Sequence, residues 1–192
     1  MCRLAILFLL VLTITSCNNK EVDVNSKIEL IDNKEQVFVK GENYFDFDNV
    51  DYYFKDINEN DVFKVYDDPK SKDKESKEYK YLQIVEGNYP NLLNNEFSTN
   101  LINNGYYKRR IDSNRFGDLN SIFSETKCDD GYAMACIPVY RDILIFYNEG
   151  KIIGIAKICF GCRQYHIIGT DKNLEDFGQC GGYEELQVLL SK

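Results

Sequence analysis

The sequence predicts an α+β fold, in which an antiparallel sheet with a central hairpin at about residues 142–160 is packed by a few short helices. The hairpin is the strongest pattern, because the β-rich runs 143–147 and 151–158 flank the turn residues 148–150. The first run is continuously apolar, so we expect a central strand covered on both faces. A hydrophobic content of 44% supports a packed core.

Short strands are expected in the first third of the chain. Alternating or β-rich runs predict strands at residues 27–31, 36–39, 44–47, 52–54, 62–66 and 79–85. The charged run 67–80 is expected to be a solvated loop. Residues 56–67 resemble a calcium loop in their spacing of oxygen ligands, but Asp61 replaces the turn glycine and Asp67 the bidentate glutamate. We therefore expect an Asx-rich hairpin turn there, between strands 52–54 and 62–64.

Three helices follow from apolar stripes at helical spacing. The stripes are Phe97, Leu101 and Ile102; Phe116, Leu119, Ile122 and Phe123; and Tyr183, Leu186, Leu189 and Leu190. Gly105 is expected to end the first helix, and Asp112 or Ser113 to cap the second.

The N-terminus reads as an export leader. Arg3 precedes an apolar run over residues 4–12, which is too short to span a bilayer and ends at a short polar stretch before Cys17. The residues Ile14-Thr15-Ser16-Cys17 resemble the lipobox of bacterial lipoproteins. An ordinary secretory leader followed by a chance cysteine is the alternative, and both imply export.

The lipobox resemblance implies that Cys17 carries a lipid, such as palmitate, and anchors the chain in the cell envelope. Asn18 is not the Asp associated with inner-membrane retention, which favours the outer membrane. The expected organisation is a signal peptide over 1–16, a lipidated tether over 17–26 and a single α+β domain over 27–192.

Five of the seven cysteines remain after Cys2 and Cys17, so at least one stays unpaired in an oxidising compartment. They are Cys128, Cys136, Cys159, Cys162 and Cys180. A three-residue hairpin loop would pair Tyr147 with Lys151 and place Cys136 opposite Cys162. We therefore predict a Cα separation below about 7 Å for Cys136 and Cys162.

Cys159 and Cys162 form a CxxC motif, which suggests a thiol-redox or metal-binding module that also uses Cys136. A thioredoxin-like site needs a helix after the motif, whereas residues 163–168 read as extended. A single CxxC motif is also a weak signal for zinc, so the sequence does not identify a metal. Structural disulfides with one buried thiol are the favoured interpretation.

The net charge and the absence of a complete catalytic motif narrow the classes of function that the sequence favours. A net charge of −8 excludes nucleic acid as a favoured partner. No Gly-x-Ser-x-Gly elbow accompanies His166, the only histidine, so an enzyme is not favoured and no cofactor is expected. We expect a binding module for an unidentified protein or small molecule, with a candidate ligand pocket of Arg141, Tyr165 and His166.

Residues 136–142 and the segment Ile158-Cys159-Phe160-x-Cys162 resemble a pattern of uncharacterised bacterial lipoproteins. This resemblance implies no known activity.

Overall fold

A computed structural model describes residues 40–129, 131 and 134–191. The leader, Cys17, the tether and the strands predicted at 27–31 and 36–39 lie outside the described residues. None of the helices in the described part of the chain has the length and apolar character needed to cross a membrane.

The predicted α+β class is confirmed. Within the described residues, seven strands form a five-stranded antiparallel sheet in the order β3-β2-β5-β6-β7 and a two-stranded sheet of β1 and β4. The strands are β1 (Lys40–Asn43), β2 (Asn49–Phe54), β3 (Tyr107–Arg110), β4 (Ser124–Thr126), β5 (Asp142–Asn148), β6 (Lys151–Cys159) and β7 (Gln164–Ile168). The α-helices are α1 (Glu59–Asp67), α2 (Lys77–Val85), α3 (Phe97–Asn103), α4 (Phe116–Ile122) and α5 (Gly182–Ser191). Short 3-10 turns cover Pro69–Lys72 and Ser113–Arg115.

The predicted hairpin of β5 and β6 lies at the centre of the large sheet. Leu144 and Phe146 pack on one face, in the cluster that includes residues of α4 and α5. Ile143 and Ile145 pack on the other face, against residues of α2 and α3. All four side chains have no exposed surface, which explains why this strand is apolar at every position rather than at alternate ones.

The predicted register of the hairpin is wrong. The turn has two residues, Glu149 and Gly150, whose φ values of 49° and 74° are both left-handed. Two such residues form the type of turn that matches the right-handed twist of a hairpin. Asn148 consequently pairs with Lys151, and a further shift beyond Tyr147 places Phe146 opposite Gly154.

Gly154 fits its position because the ring of Phe45 lies directly over it. A Cβ atom built there would lie 2.3 Å from a carbon of that ring. The same ring packs on Phe146, with the two centroids 4.5 Å apart. Phe45 and the preceding Tyr44 are both buried, in a segment that follows β1. The strand predicted at 44–47 is therefore absent, because this segment buries neighbouring side chains rather than alternate ones.

The strands predicted at 62–66 and 79–85 are also wrong, because these residues form α1 and α2. Asn58 accepts a hydrogen bond from the backbone N–H of Asn60 at 2.9 Å, and Ser76 accepts one from the N–H of Tyr79 at 3.0 Å. These side chains satisfy backbone donors that a helix start leaves unpaired, which outweighs the β propensity that follows. The expected hairpin turn at 56–61 is instead the start of α1, and the expected loop at 67–80 contains a 3-10 turn and the start of α2.

The three helices predicted from apolar stripes are confirmed as α3, α4 and α5. Gly105 follows α3 with a φ of 79°, as expected for a helix-ending glycine. Ile102 points outward and is 49% exposed, so Phe97 and Leu101 alone carry the buried face of α3. Asp112 precedes the 3-10 turn that leads into α4, and its side chain makes no capping hydrogen bond.

Candidate binding cleft

Four of the five cysteines that the structure describes form two disulfides, Cys128–Cys180 and Cys136–Cys162, with Cα separations of 6.0 and 5.9 Å. The predicted proximity of Cys136 and Cys162 is confirmed, although the register behind it is not. Cys136 precedes β5 and lies on no strand. The Gln164 side-chain amide donates to the carbonyl of Cys136 at 2.7 Å and to that of Met134 at 2.9 Å, which fixes this segment beside the β6–β7 turn.

Cys159 is a free, buried thiol at the end of β6 and packs with Cys162 and Tyr140. The CxxC motif spans the turn between β6 and β7 rather than the start of a helix, so the geometry of a thioredoxin-like site is absent here. Within residues 40–129, 131 and 134–191, no three His, Cys, Asp or Glu side chains are grouped closely enough to hold a metal ion.

The structure does not bring Arg141, Tyr165 and His166 into one pocket. Tyr165 and His166 are neighbours in β7 and point to opposite faces of the sheet. Tyr165 packs against the Phe177 ring at 5.0 Å between centroids. Arg141 donates to the carbonyl of Ile57 at 3.0 Å, at the approach to α1, and His166 bonds through Nε2 to the carbonyl of Pro90 at 2.8 Å.

A cleft of about 720 Å³ lies between α2 and α3, a volume typical of small-molecule sites. One wall carries Lys74, Lys77 and Lys80 together with Tyr79 and Gln83, from α2 and the residues before it. The opposite wall carries Glu96, Asn100, Asn103 and Asn104, from α3 and its ends, and Tyr89 contributes from the connecting loop.

Lys157 fixes the loop that lines this cleft. It lies in β6 with no exposed surface, and its ammonium group donates to the carbonyls of Gly87 at 2.6 Å, Tyr89 at 2.9 Å and Gln83 at 3.3 Å. It also lies 4.4 Å from the centre of the Tyr140 ring. Burial lowers the pKa of Lys157 to about 7.

His166 holds the same loop one residue further on, at Pro90. Burial lowers the pKa of His166, which favours the neutral ring in this position. The sheet therefore positions the loop through side chains of two neighbouring strands, β6 and β7. The sequence signal for this arrangement is a lysine between Ala156 and Ile158 in the second strand of the predicted hairpin, and Lys157 was not among the predicted site residues.

The asparagine wall is also held in place. Asn100 donates through its amide to the Tyr89 hydroxyl at 3.1 Å, and Asn104 donates to the carbonyl of Asn100 at 2.7 Å. Lys55 in turn donates to the carbonyl of Asn104 at 2.7 Å and lies 4.5 Å from the centre of the Tyr81 ring. Burial lowers the pKa of Lys55.

The charge of the cleft is opposite to that of the whole chain. Three lysines and one glutamate line it, whereas the chain has a formal net charge of −8. Lys80 pairs with Glu75 at 3.3 Å. Lys74 and Lys77 form no ion pair with any residue that the structure describes. The two lysines are therefore available to a ligand.

No protein-family model, curated protein or solved structure matches this chain.

Proposed function

We propose that this chain is a lipid-anchored binding protein of the bacterial cell envelope, and that its α2–α3 cleft holds a polar small molecule. The observation that carries the proposal is a cleft of ligand size whose charged and amide side chains face a loop pinned by buried Lys157. The described residues that line it include no Ser, Thr, Cys or His, the residue types that form a hydroxyl or thiol nucleophile with a histidine base. Binding without bond cleavage is the activity that this chemistry supports best.

The proposed location rests on the N-terminal sequence and on the disulfides. Ile14-Thr15-Ser16-Cys17 supports lipidation of Cys17, and residues 17–26 would form the tether between lipid and domain. Two disulfides suit an exported protein, because reducing cytosol disfavours them. Asn18 after the lipidated position supports the outer membrane.

The anchor is tested by the Cys17→Ser variant, with Cys159→Ser as a control that removes a thiol elsewhere. We expect Cys17→Ser to lose labelling by radioactive palmitate and to leave the membrane fraction, and Cys159→Ser to keep both. Density-gradient separation of the two membranes tests the outer-membrane location. Labelling that persists in Cys17→Ser would contradict the proposal.

The cleft is tested with tryptophan substitutions on α3. Asn103 lines the cleft, and Ile102 is exposed outside it. The full chain in neutral detergent is incubated with extract of its native envelope and examined by native mass spectrometry. We expect a bound small molecule in the wild type and in Ile102→Trp, and none in Asn103→Trp. Equal occupancy of the two variants, or an empty wild type, would refute a ligand-binding cleft.

A thiol-redox role is the second candidate, and the burial of free Cys159 in one cluster with Cys162 and Tyr140 favours it. Attack of the Cys159 thiolate on the sulfur of Cys162 would form a Cys159–Cys162 disulfide and release Cys136 as a thiolate, which takes up the proton that Cys159 lost. Peptide mapping after equilibration in glutathione buffers tests this exchange. Exclusive recovery of the Cys136–Cys162 pair would rule it out.

A further inference from the structure

We infer that the ligand of the α2–α3 cleft is an anionic saccharide, a sugar or short oligosaccharide that bears a carboxylate or a phosphate. This inference rests on the proposed binding function and specifies its ligand class. It follows from three features of the cleft: its local positive charge, its facing amides and its two tyrosine rings.

The positive charge calls for an anion. Lys74 and Lys77 lie on one wall and form no ion pair with any described residue, so both can pair with an anionic ligand. The chain as a whole has a net charge of −8, so the lysines of this wall form a local positive region that attracts an anion. A lysine ammonium acts as a flexible point charge and accepts a carboxylate or a phosphate without requiring a fixed bidentate geometry.

The asparagine side chains of the cleft favour a ligand with many hydroxyl groups. Asn100, Asn103 and Asn104 line the wall opposite the lysines. An amide side chain both donates and accepts hydrogen bonds, and so does a sugar hydroxyl. A lipid tail in this place would cover the amides without offering them partners, which carries a large desolvation cost. The cleft has a volume of about 720 Å³, and a bare phosphate would leave most of it unfilled.

Tyr79 and Tyr89 supply aromatic surface for the apolar face of a sugar ring. Tyr89 is held for this role at two points: the Asn100 amide donates to its hydroxyl at 3.1 Å, and its ring packs edge-on against Phe97 at 5.6 Å between centroids. A surface that is already ordered loses little conformational entropy on binding. The cleft therefore combines charge, paired hydrogen-bonding groups and a fixed ring at the scale of a small saccharide.

Calorimetric titration of the full chain in neutral detergent tests this ligand class with three probes. Trigalacturonate supplies carboxylates, glucose 1-phosphate supplies a phosphate, and maltotriose is neutral. We expect at least one anionic probe to bind tenfold or more tightly than maltotriose, with an affinity that falls as NaCl is raised. The anionic probe that binds more tightly identifies the charged group.

Paired lysine substitutions test where the anion binds. Lys74→Gln with Lys77→Gln removes two charges from the cleft wall. Lys70→Gln with Lys72→Gln removes the same charge from the neighbouring 3-10 turn, which does not line the cleft. We expect the first pair to weaken the anionic probe at least tenfold and to reduce its salt dependence, and the second pair to change its affinity less than twofold.

The outcomes separate the ligand class from the binding function. Binding of maltotriose as tightly as the anionic probes, binding of none of the three, or equal weakening by both lysine pairs would overturn the anionic-saccharide inference. The envelope ligand blocked by Asn103→Trp would still be found in that case if the proposed function holds. An empty wild type in that experiment would overturn the function itself.

Discussion

At the scale of single residues, Lys157 places a charged group at a fully buried position of the sheet. An ammonium ion removed from water is costly unless its protons find acceptors. Here the acceptors are the carbonyls of Gln83, Gly87 and Tyr89, at the C-terminal end of α2 and just beyond it. Carbonyls in the last turn of a helix lack intrahelical partners and carry its negative dipole end, so a buried cation suits this position.

This arrangement predicts a pH-dependent stability. Burial lowers the pKa of Lys157 to about 7 from its usual 10.5, so between these values the unfolded chain binds the proton and the folded chain does not. Stability therefore rises with pH from about 7 up to about 10, by at most about 1.4 kcal/mol per pH unit. Above pH 10 the buried tyrosines lower the stability of the fold as pH rises, because burial raises the pKa of residues such as Tyr140 and the unfolded chain loses their protons first.

Lys157→Met removes this dependence together with the hydrogen bonds that the buried lysine donates. We expect the variant to be about 2 kcal/mol less stable than the wild type at pH 9, and the gap to narrow towards pH 6. Urea denaturation at pH 6, 7, 8 and 9 measures both effects. Lys151→Met, at the exposed start of the same strand, should follow the wild-type profile. Parallel pH profiles for the wild type and Lys157→Met would show that Lys157 does not titrate in this way.

At the scale of elements, the sequence predicted the inner hairpin and the three later helices better than the first half of the chain. The run 143–147 is apolar at every position, which a strand covered on both faces requires. Residues 79–85 have similar β propensity but form α2, because Ser76 caps the helix and because Leu82, Ile84 and Val85 bury one side of it. The cleft could not be foreseen, since one of its walls was expected to be a strand.

The hairpin register was predicted wrongly for a local reason. Glu149 adopts a left-handed φ that non-glycine residues rarely take, so the two-residue turn carried no clear signal. The cysteine pair was still predicted, because the start of β5 and the end of β6 must lie together in any register of this hairpin. Asp142 pairs with Ile158, and Cys136 and Cys162 lie just beyond those ends.

The cap of α2 gives a prediction about the cleft. Ser76→Ala removes the acceptor for the N–H of Tyr79 and should cost about 1 kcal/mol of stability. Lys77 and Lys80 belong to this helix, so hydrogen exchange should accelerate over α2 and the anionic probe should bind more weakly. The matched variant Asn58→Ala removes the cap of α1, which lies outside the cleft.

We expect Asn58→Ala to lose similar stability but to accelerate exchange over α1 alone and to leave the affinity unchanged. Denaturation, hydrogen exchange by mass spectrometry and calorimetry provide the three readouts. Equal effects of both caps on ligand affinity would mean that the order of α2 has no special role in binding.

At the scale of the whole molecule, both disulfides fasten the segment between β4 and β5. Cys128 joins it to Cys180, close to α5, and Cys136 joins it to Cys162, between β6 and β7. Its described residues form no helix or strand between Thr126 and Asp142. Covalent attachment at two points therefore replaces the backbone ladder that other segments have, and it restricts the unfolded chain as well.

The disulfides therefore predict two separable losses of stability. They join residues 52 and 26 positions apart, and loop-closure entropy assigns about 4 kcal/mol to Cys128–Cys180 and about 3.5 kcal/mol to Cys136–Cys162. Replacing each pair by serines should lower the free energy of urea unfolding by those amounts.

Buried Cys159 should resist alkylation in the native wild type and react after denaturation, as read from its peptide mass. Rapid native alkylation of Cys159, or serine pairs as stable as the wild type, would contradict a structural role for these cysteines.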